Sequence, residues 1–431
     1  MPTLSPSELW AFARARHTWL IPSALILLLA VVFPLVYLSA TTSPQDDLHD
    51  LPIALVTDPP AASEPTTLAE QLTSAIVAAI DPAKISLTIM TSAELESAMA
   101  QDRVAGAIIV PANLDTSIEA LLRGPDATTR LPEVKIVTNA ADGGISGGLV
   151  SGNLAPMLAA VRTAMGQELI AGATETAAAS GLELDAARSL LLASPFQVTD
   201  TSYRELPDHS GFGTSAFYYA LALVLLGFVG ASVINPSIDS ALGFAPAEMG
   251  PLVARRVYRP TTRMQTLLVK WGLLTALSPV AAALVLGVVT AIGVPIPDPW
   301  QLWLFGTAAM MAVGLGALSV FAIFGGGIGA LVNTTFFIAL AMTSSGGTVP
   351  ISATPPFFAW LSSISPFHAV IEGTRALLYL DGNPTAGLID GWVHIGWGAL
   401  ISIALGLAVT WLYARQRMFM RHPRPAGAPS N

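Results

Sequence analysis

SSGGTVPISATPPFFAWLSSISPFHAVIEGTRALLYLDG, residues Ser344 to Gly382, lies between two long apolar segments and is itself only half apolar. Four prolines (Pro350, Pro355, Pro356 and Pro366) punctuate it, and Asp381-Gly382 closes it. Proline at the start of a helix and glycine just past its end are stop and start signals. The stretch therefore predicts two short helices, roughly Phe357 to Ser363 and His368 to Tyr379. The second sets Glu372 and Arg375 three residues apart, on one face of an otherwise apolar surface. Non-helical backbone near a bilayer survives only where protein buries it or water reaches it. The reading is a re-entrant or interfacial hairpin over residues 344–382 that lines a path. A plain exofacial loop lying on lipid headgroups is the alternative.

Composition places the rest of the chain around that hairpin. Of 431 residues, 53% are hydrophobic and only 11% charged, and mean hydropathy is +0.61. A soluble protein carries about 25% charged residues, so this is a membrane protein with a sizeable watery part. The net charge of −9 hides a partition: residues 40–213 hold 22 acids and 8 bases, whereas everything else holds 7 acids and 12 bases. An acidic block beside a basic membrane portion suggests opposite sides of a bilayer. The chain has no cysteine, which excludes disulfides and thiolate metal sites. Its six histidines never fall at the spacing of a zinc helix.

After a short cytoplasmic N-terminus (1–18) with Arg14 and Arg16, Trp19 to Leu38 is the first apolar run, the core of a first transmembrane helix at 19–39. At ~1.5 Å per residue it reaches one bilayer core. It is too long for a signal-peptide core, so an uncleaved anchor is expected. Residues 40–213 read as one domain. Strands at Leu51–Asp58, Ile85–Met90, Val104–Val110 and Val134–Asn139 alternate with helices at Thr66–Ile80, Ser92–Gln101 and Leu114–Leu122, which argues for an α/β layer. Beyond it, the Ala- and Gly-rich Ile145–Gly181 and the helix Leu184–Leu192 read as a helical stalk, and Phe196–Asp208 as an extended return to the bilayer. Five more spans follow at Ala216–Ile234, Leu267–Ile292, Leu302–Phe324, Gly326–Thr343 and Trp392–Tyr413, making a membrane domain over 214–414. The third and fourth of these read as a hairpin broken only at Gly325-Gly326-Gly327. Lys270, near the end of a span, can snorkel.

Basic residues flanking the spans set orientation. Arg14 and Arg16, the segment with Arg255, Arg256, Arg259 and Arg263, and a tail (415–431) with Arg415, Arg417, Arg421 and Arg424 share one face if there are six spans. The expectation is a multi-pass protein of the cell membrane, both termini cytoplasmic and residues 40–213 extracytoplasmic.

No GxxxxGK[ST] phosphate loop or HExxH occurs, so ATP hydrolysis by a phosphate loop is excluded and an enzyme is not expected. Gly314-Leu-Gly316 and Gly325-Gly-Gly-Ile-Gly329 lie inside spans and read as close helix packing. Asp46-Asp-Leu-His-Asp50 could hold a divalent cation, but a solvated run beside the membrane is the plainer account. In the cytoplasmic segment 235–264, Ile238, Leu242, Phe244 and Met249 with Asp239, Glu248 and the arginine cluster suggest a short amphipathic helix docking a partner protein. The same arginines would also serve as lipid-headgroup anchors.

The order of these parts resembles the permeases of type-2 ABC exporters, in particular the YhgE/Pip-like (phage-infection-protein-like) branch with a large outside domain. The resemblance is carried by Leu51-Pro-Ile-Ala-Leu-Val-Thr-Asp58; by Ala105-Gly-Ala-Ile-Ile-Val-Pro111 with Asn113-Leu114; by His209-Ser-Gly-Phe-Gly213 with Phe217; and by Ser365-Pro-Phe-His368, Gly373-Thr-Arg375 and Tyr379-Leu-Asp-Gly382. It implies six transmembrane helices with the α/β domain inserted between the first and second. It also implies a dimer of permeases, a separate ATPase that holds the ATP, no cofactor on this chain, and a cytoplasmic coupling element over Ser237–Arg256. The ATPase-coupling face would comprise Asp239, Glu248, Arg255, Arg256 and Arg259. Phe367, His368, Glu372 and Arg375 would form an exit gate, or Glu372 and Arg375 an ion pair that simply holds the hairpin. The expected activity is outward movement of an amphiphilic, drug-like or lipid-like substrate, with membrane lipid as surroundings and no nucleic acid. The alternative is a non-transporting envelope scaffold or receptor whose outside domain binds a surface partner.

Overall fold

The computed structural model describes residues 44–57, 67–123, 130–179, 185–249, 251–254, 256–259 and 261–415. The expected first span at 19–39, the stretch 1–18, the tail beyond Arg415, and Arg255 lie outside the described residues.

The first half of the described chain is a five-stranded sheet with helices. In order come β1 (Leu51–Thr57), α1 (Leu68–Ala79), β2 (Ile85–Met90), α2 (Ser92–Ala100), β3 (Gly106–Val110), α3 (Leu114–Arg123), β4 (Glu133–Thr138), α4 (Gly144–Ala179), α5 (Ala186–Leu192) and β5 (Gln197–Ser202). The strands lie in the order β2-β1-β3-β4-β5, all neighbours parallel except β3 and β4. β1 is an interior strand buried on both faces, hence its near-continuous apolar run. Capping boxes open two of the helices: Thr67 with Glu70 before α1, and Thr91 with Glu94 before α2.

Two expectations need correction here. The return segment forms a fifth strand: β5 pairs in parallel with β4 from Glu133–Gln197 to Thr138–Ser202. Its sequence, QVTDTS, shows no apolar face because it is an exposed edge. The Ala-rich segment, read as a stalk, is one 36-residue helix whose first half belongs to the domain core. Leu149, Val150, Leu154, Leu158 and Val161 pack with Leu51, Ile53 and Ile136 of the sheet.

The second half is a helical bundle made of α6 (Ser215–Ala241), α7 (Arg263–Ile292), α8 (Pro299–Asn333), α9 (Pro356–Ser362), α10 (Pro366–Tyr379) and α11 (Ile389–Arg415). Among the described residues, four stretches are long and apolar enough to cross a membrane: α6, α7, Pro299–Thr343 and Pro384–Arg415. The third runs 45 residues where the sequence predicts two spans, and it folds back on itself at Gly325. There φ 79° and ψ −176° occupy a region open only to glycine. Asn333 Nδ2 donates to the Ala317 carbonyl at 3.1 Å. In a straight helix those residues would stand ~24 Å apart, so the two limbs are antiparallel.

The two halves share their cores. Val349 and Ala353, from the loop after the returning limb, are buried with Leu48, Leu51 and Leu154 of the sheet domain. Ala141, from the turn after β4, packs into the helical bundle with Phe217 and Phe305. The backbone N–H of His49 donates to the Ser352 carbonyl at 2.7 Å and ties the run before β1 to the same loop.

Candidate functional site

The two helices expected in the opening stretch form almost where the punctuation places them, as α9 and α10, each with proline in its first turn. α10 is buried along most of its length. Phe367, 2% exposed, packs against Phe217 with ring centroids 6.1 Å apart. Gly373 lets the Phe305 ring lie directly on the helix backbone; a Cβ there would run into it.

Arg375 is 5% exposed and joins three pieces of chain. Nη1 donates to Glu372 Oε1 at 2.7 Å, and Nη2 to the carbonyls of Asp142 (3.0 Å) and Gly346 (3.1 Å). The pair legible in the sequence thus exists, and its arginine also clamps the turn before α4 and the loop after the returning limb. His368 Nδ1 donates to the Ser345 carbonyl at 2.9 Å and lies 3.9 Å from Glu372 Oε1. Phe367, His368, Glu372 and Arg375 are therefore together: Phe367 on the packed face, the other three facing a cavity.

That cavity, about 240 Å³, lies where the sheet domain meets α10, and Asp102, Asp142, Ser146, His368, Glu372 and Arg375 line it. Sequence reasoning missed the two aspartates. They stand 40 residues apart in the chain and 270 and 230 from Glu372, with no shared motif. The one local sign is that Asp102 adopts a left-handed backbone (φ 55°) in the turn after α2. The Asp102 and Asp142 carboxyls are in hydrogen-bond contact, and Asn139 Nδ2 donates to Asp102 Oδ1 at 2.7 Å. Burial pushes Asp102 well above the usual carboxylate range, and the charges of Asp142 and Glu372 push it further, against Arg375. Burial also raises Asp142, with Arg375 pulling it down and Glu372 pushing it up. Three carboxyls around one guanidinium make the site a proton holder and a polar joint. Two further bonds fasten the joint: Asn383 Nδ2 donates to the Ala100 carbonyl at 2.8 Å, and Arg204 pairs with Asp381 at 2.7 Å.

At the other end of the bundle the expected amphipathic helix over Ser237–Arg256 is replaced. α6 runs on to Ala241, and the chain then forms a small antiparallel hairpin, β6 (Ala247–Met249) with β7 (Leu252–Ala254). The Gly-Pro dipeptide at 250–251 and the β-branched Val253 were the turn and strand signals. Glu248 lies in β6; Arg256 and Arg259 are exposed just beyond β7. Asp239 turns inward instead: it pairs with Lys270 at 2.9 Å, and Lys270 Nζ also donates to Asn235 Oδ1 at 2.7 Å. Lys270, expected to snorkel, is 6% exposed. The pair lines a cavity of about 380 Å³ under the Gly325 reversal. Among the described residues no three His, Asp or Glu side chains converge to hold a metal ion, including those of the Asp46–Asp50 run.

The comparison with curated proteins and that with solved structures each give no match. A protein-family model described as "ABC-2 family transporter protein" matches residues 21–414, nearly the whole chain and both of its halves. A multi-pass bundle of apolar helices without a phosphate loop is what that family's membrane component requires, since it normally works with a separate ATPase subunit. The chain belongs to the ABC-2 transporter family, a family of transporter membrane components.

Proposed function

We propose that this chain is the permease subunit of an ABC-type exporter that moves an amphiphilic, drug-like or lipid-like substrate outward, powered by a separate ATPase. The observation that carries the reading is the family match across residues 21–414. The architecture we infer has six crossings. The run 19–39 precedes the sheet domain, and the Gly325 reversal splits Pro299–Thr343 into two. The sheet domain then stands outside the cell, inserted between the first and second crossings, with the termini and the β6–β7 hairpin inside. The charge partition supports this orientation, because exposed Arg256 and Arg259 lie at the bundle end opposite the acidic domain.

An ion relay needs ionisable groups along the spans. Here Lys270 is paired with Asp239 near one end, so the bundle suits apolar cargo. The hairpin end, with Glu248, Arg256 and Arg259, is the face we assign to the ATPase. Phe367, His368, Glu372 and Arg375 are the outer gate, and the working unit is a dimer in lipid. The phage-infection-protein-like branch is the one whose order of motifs this chain shares. Vanadate-sensitive efflux of fluorescent amphiphiles, compared in cells with and without the gene, tests the reading. Efflux that depends on the gene and stops with vanadate is expected; equal efflux from both strains overturns it.

A further inference from the structure

The junction cavity gathers its charges from separately folded pieces. Asp102 comes from the turn after α2, Asp142 from the turn before α4, and His368, Glu372 and Arg375 from α10. The remaining lining, at Leu51-Pro52, Gly346 and Pro350–Ser352, brings no ionisable side chain. Tyr379 faces Arg375 from one turn further along α10, and its hydroxyl donates to the Ser210 carbonyl at 3.3 Å. Arg375 Nη2 is bonded to carbonyls on both sides of the joint, while its buried Nε has no partner. One guanidinium therefore serves three carboxyls, and two of these touch. Two carboxyl groups in contact do not both ionise; one proton is held between them.

We propose that the Asp102–Asp142 pair is a proton-operated latch. With one proton shared between the two carboxyls, the sheet domain is clamped on α10 through Arg375; loss of that proton loosens the joint and opens the path beside α10. The inference rests on this junction alone and holds whatever the permease carries and whatever powers it. The sign follows from linkage. Burial raises both carboxyls in the clamped state, whereas water restores ordinary values in an open one. The clamped state thus holds the proton more tightly. Its advantage is complete below the ordinary aspartate range and is lost as pH rises through the raised value. One proton coupled to opening changes the open-to-clamped ratio about tenfold per pH unit within that window. His368 stands 3.9 Å from Glu372, so the test must separate its contribution from that of the aspartate pair.

The chain has no cysteine, so spin labels can be placed by Ser74→Cys on α1 and Ser363→Cys beside α9, both exposed positions. Distances between them would be measured on the full chain in lipid nanodiscs from about pH 5 to about pH 9, a range that spans the linkage window. A single short distance at the acid end, giving way to a longer one as pH rises, is expected. Asp102→Asn or Asp142→Asn keeps a neutral hydrogen-bonding group and should hold the short distance throughout; either variant serves if the other fails to fold. His368→Gln should leave the response in place. A distribution that ignores pH, a response that survives in a folded Asn variant, or one abolished by His368→Gln overturns the latch.

Discussion

Replacing Arg375 with methionine should be among the most damaging single changes in the chain. The substitution keeps much of the side-chain volume but removes three hydrogen bonds, to Glu372 Oε1 and to the carbonyls of Asp142 and Gly346. Arg375 is 5% exposed and the Glu372 side chain 19%, so water replaces little of what is lost. Breaking one side of a buried ion pair costs about 3–5 kcal/mol. Two abandoned carbonyls add about 1 kcal/mol each. The methionine gives back some apolar burial, and the net expectation is about 4 kcal/mol. Glu372→Gln made together with Arg375→Met removes the stranded charge and should recover about 2–3 kcal/mol of that loss. Reversible denaturant unfolding of the purified protein in mixed micelles, run as a double-mutant cycle, measures both. A loss under about 1 kcal/mol for the single variant, or a double variant no more stable than the single, would refute the clamp.

Lys270→Met should strand Asp239 at the other end of the bundle and cost about 3 kcal/mol, with Asp239→Asn restoring part of it in the same unfolding assay. Gly373→Ala presses a methyl into the Phe305 ring and should cost about 1–3 kcal/mol; Phe305→Leu in the same chain should relieve it, and no relief would mean that the ring is not what the glycine admits. Gly325→Ala forces a side chain into backbone that only glycine adopts, so a loss of at least about 1 kcal/mol is expected, and an unchanged unfolding midpoint would deny the reversal. In intact cells, a membrane-impermeant maleimide should label Ser74→Cys and leave Arg256→Cys unlabelled. The opposite pattern would invert the proposed orientation.

Periodicity and punctuation alone determined the local pieces of this protein. The apolar runs, the alternating strands and helices from Leu51 to Thr138, and the proline-opened α9 and α10 follow from short-range steric and solvation rules, as does the i, i+3 pairing of Glu372 with Arg375. The glycine break at Gly325 also announced a hairpin, because few other residues reverse a helix so sharply. Only the tertiary structure decided what those pieces meet. β5 is a strand because β4 offers it an edge, whatever its polar sequence suggests. The first half of α4 became core because the sheet presented an apolar face to cover. Asp239 turned from an outward coupling residue into the partner of Lys270, since a buried ammonium must find a counter-charge. Asp102 and Asp142 reached Glu372 and Arg375 only when the domain settled on α10. The free energy of a buried charge depends on every group around it, and no stretch of neighbouring residues contains that information.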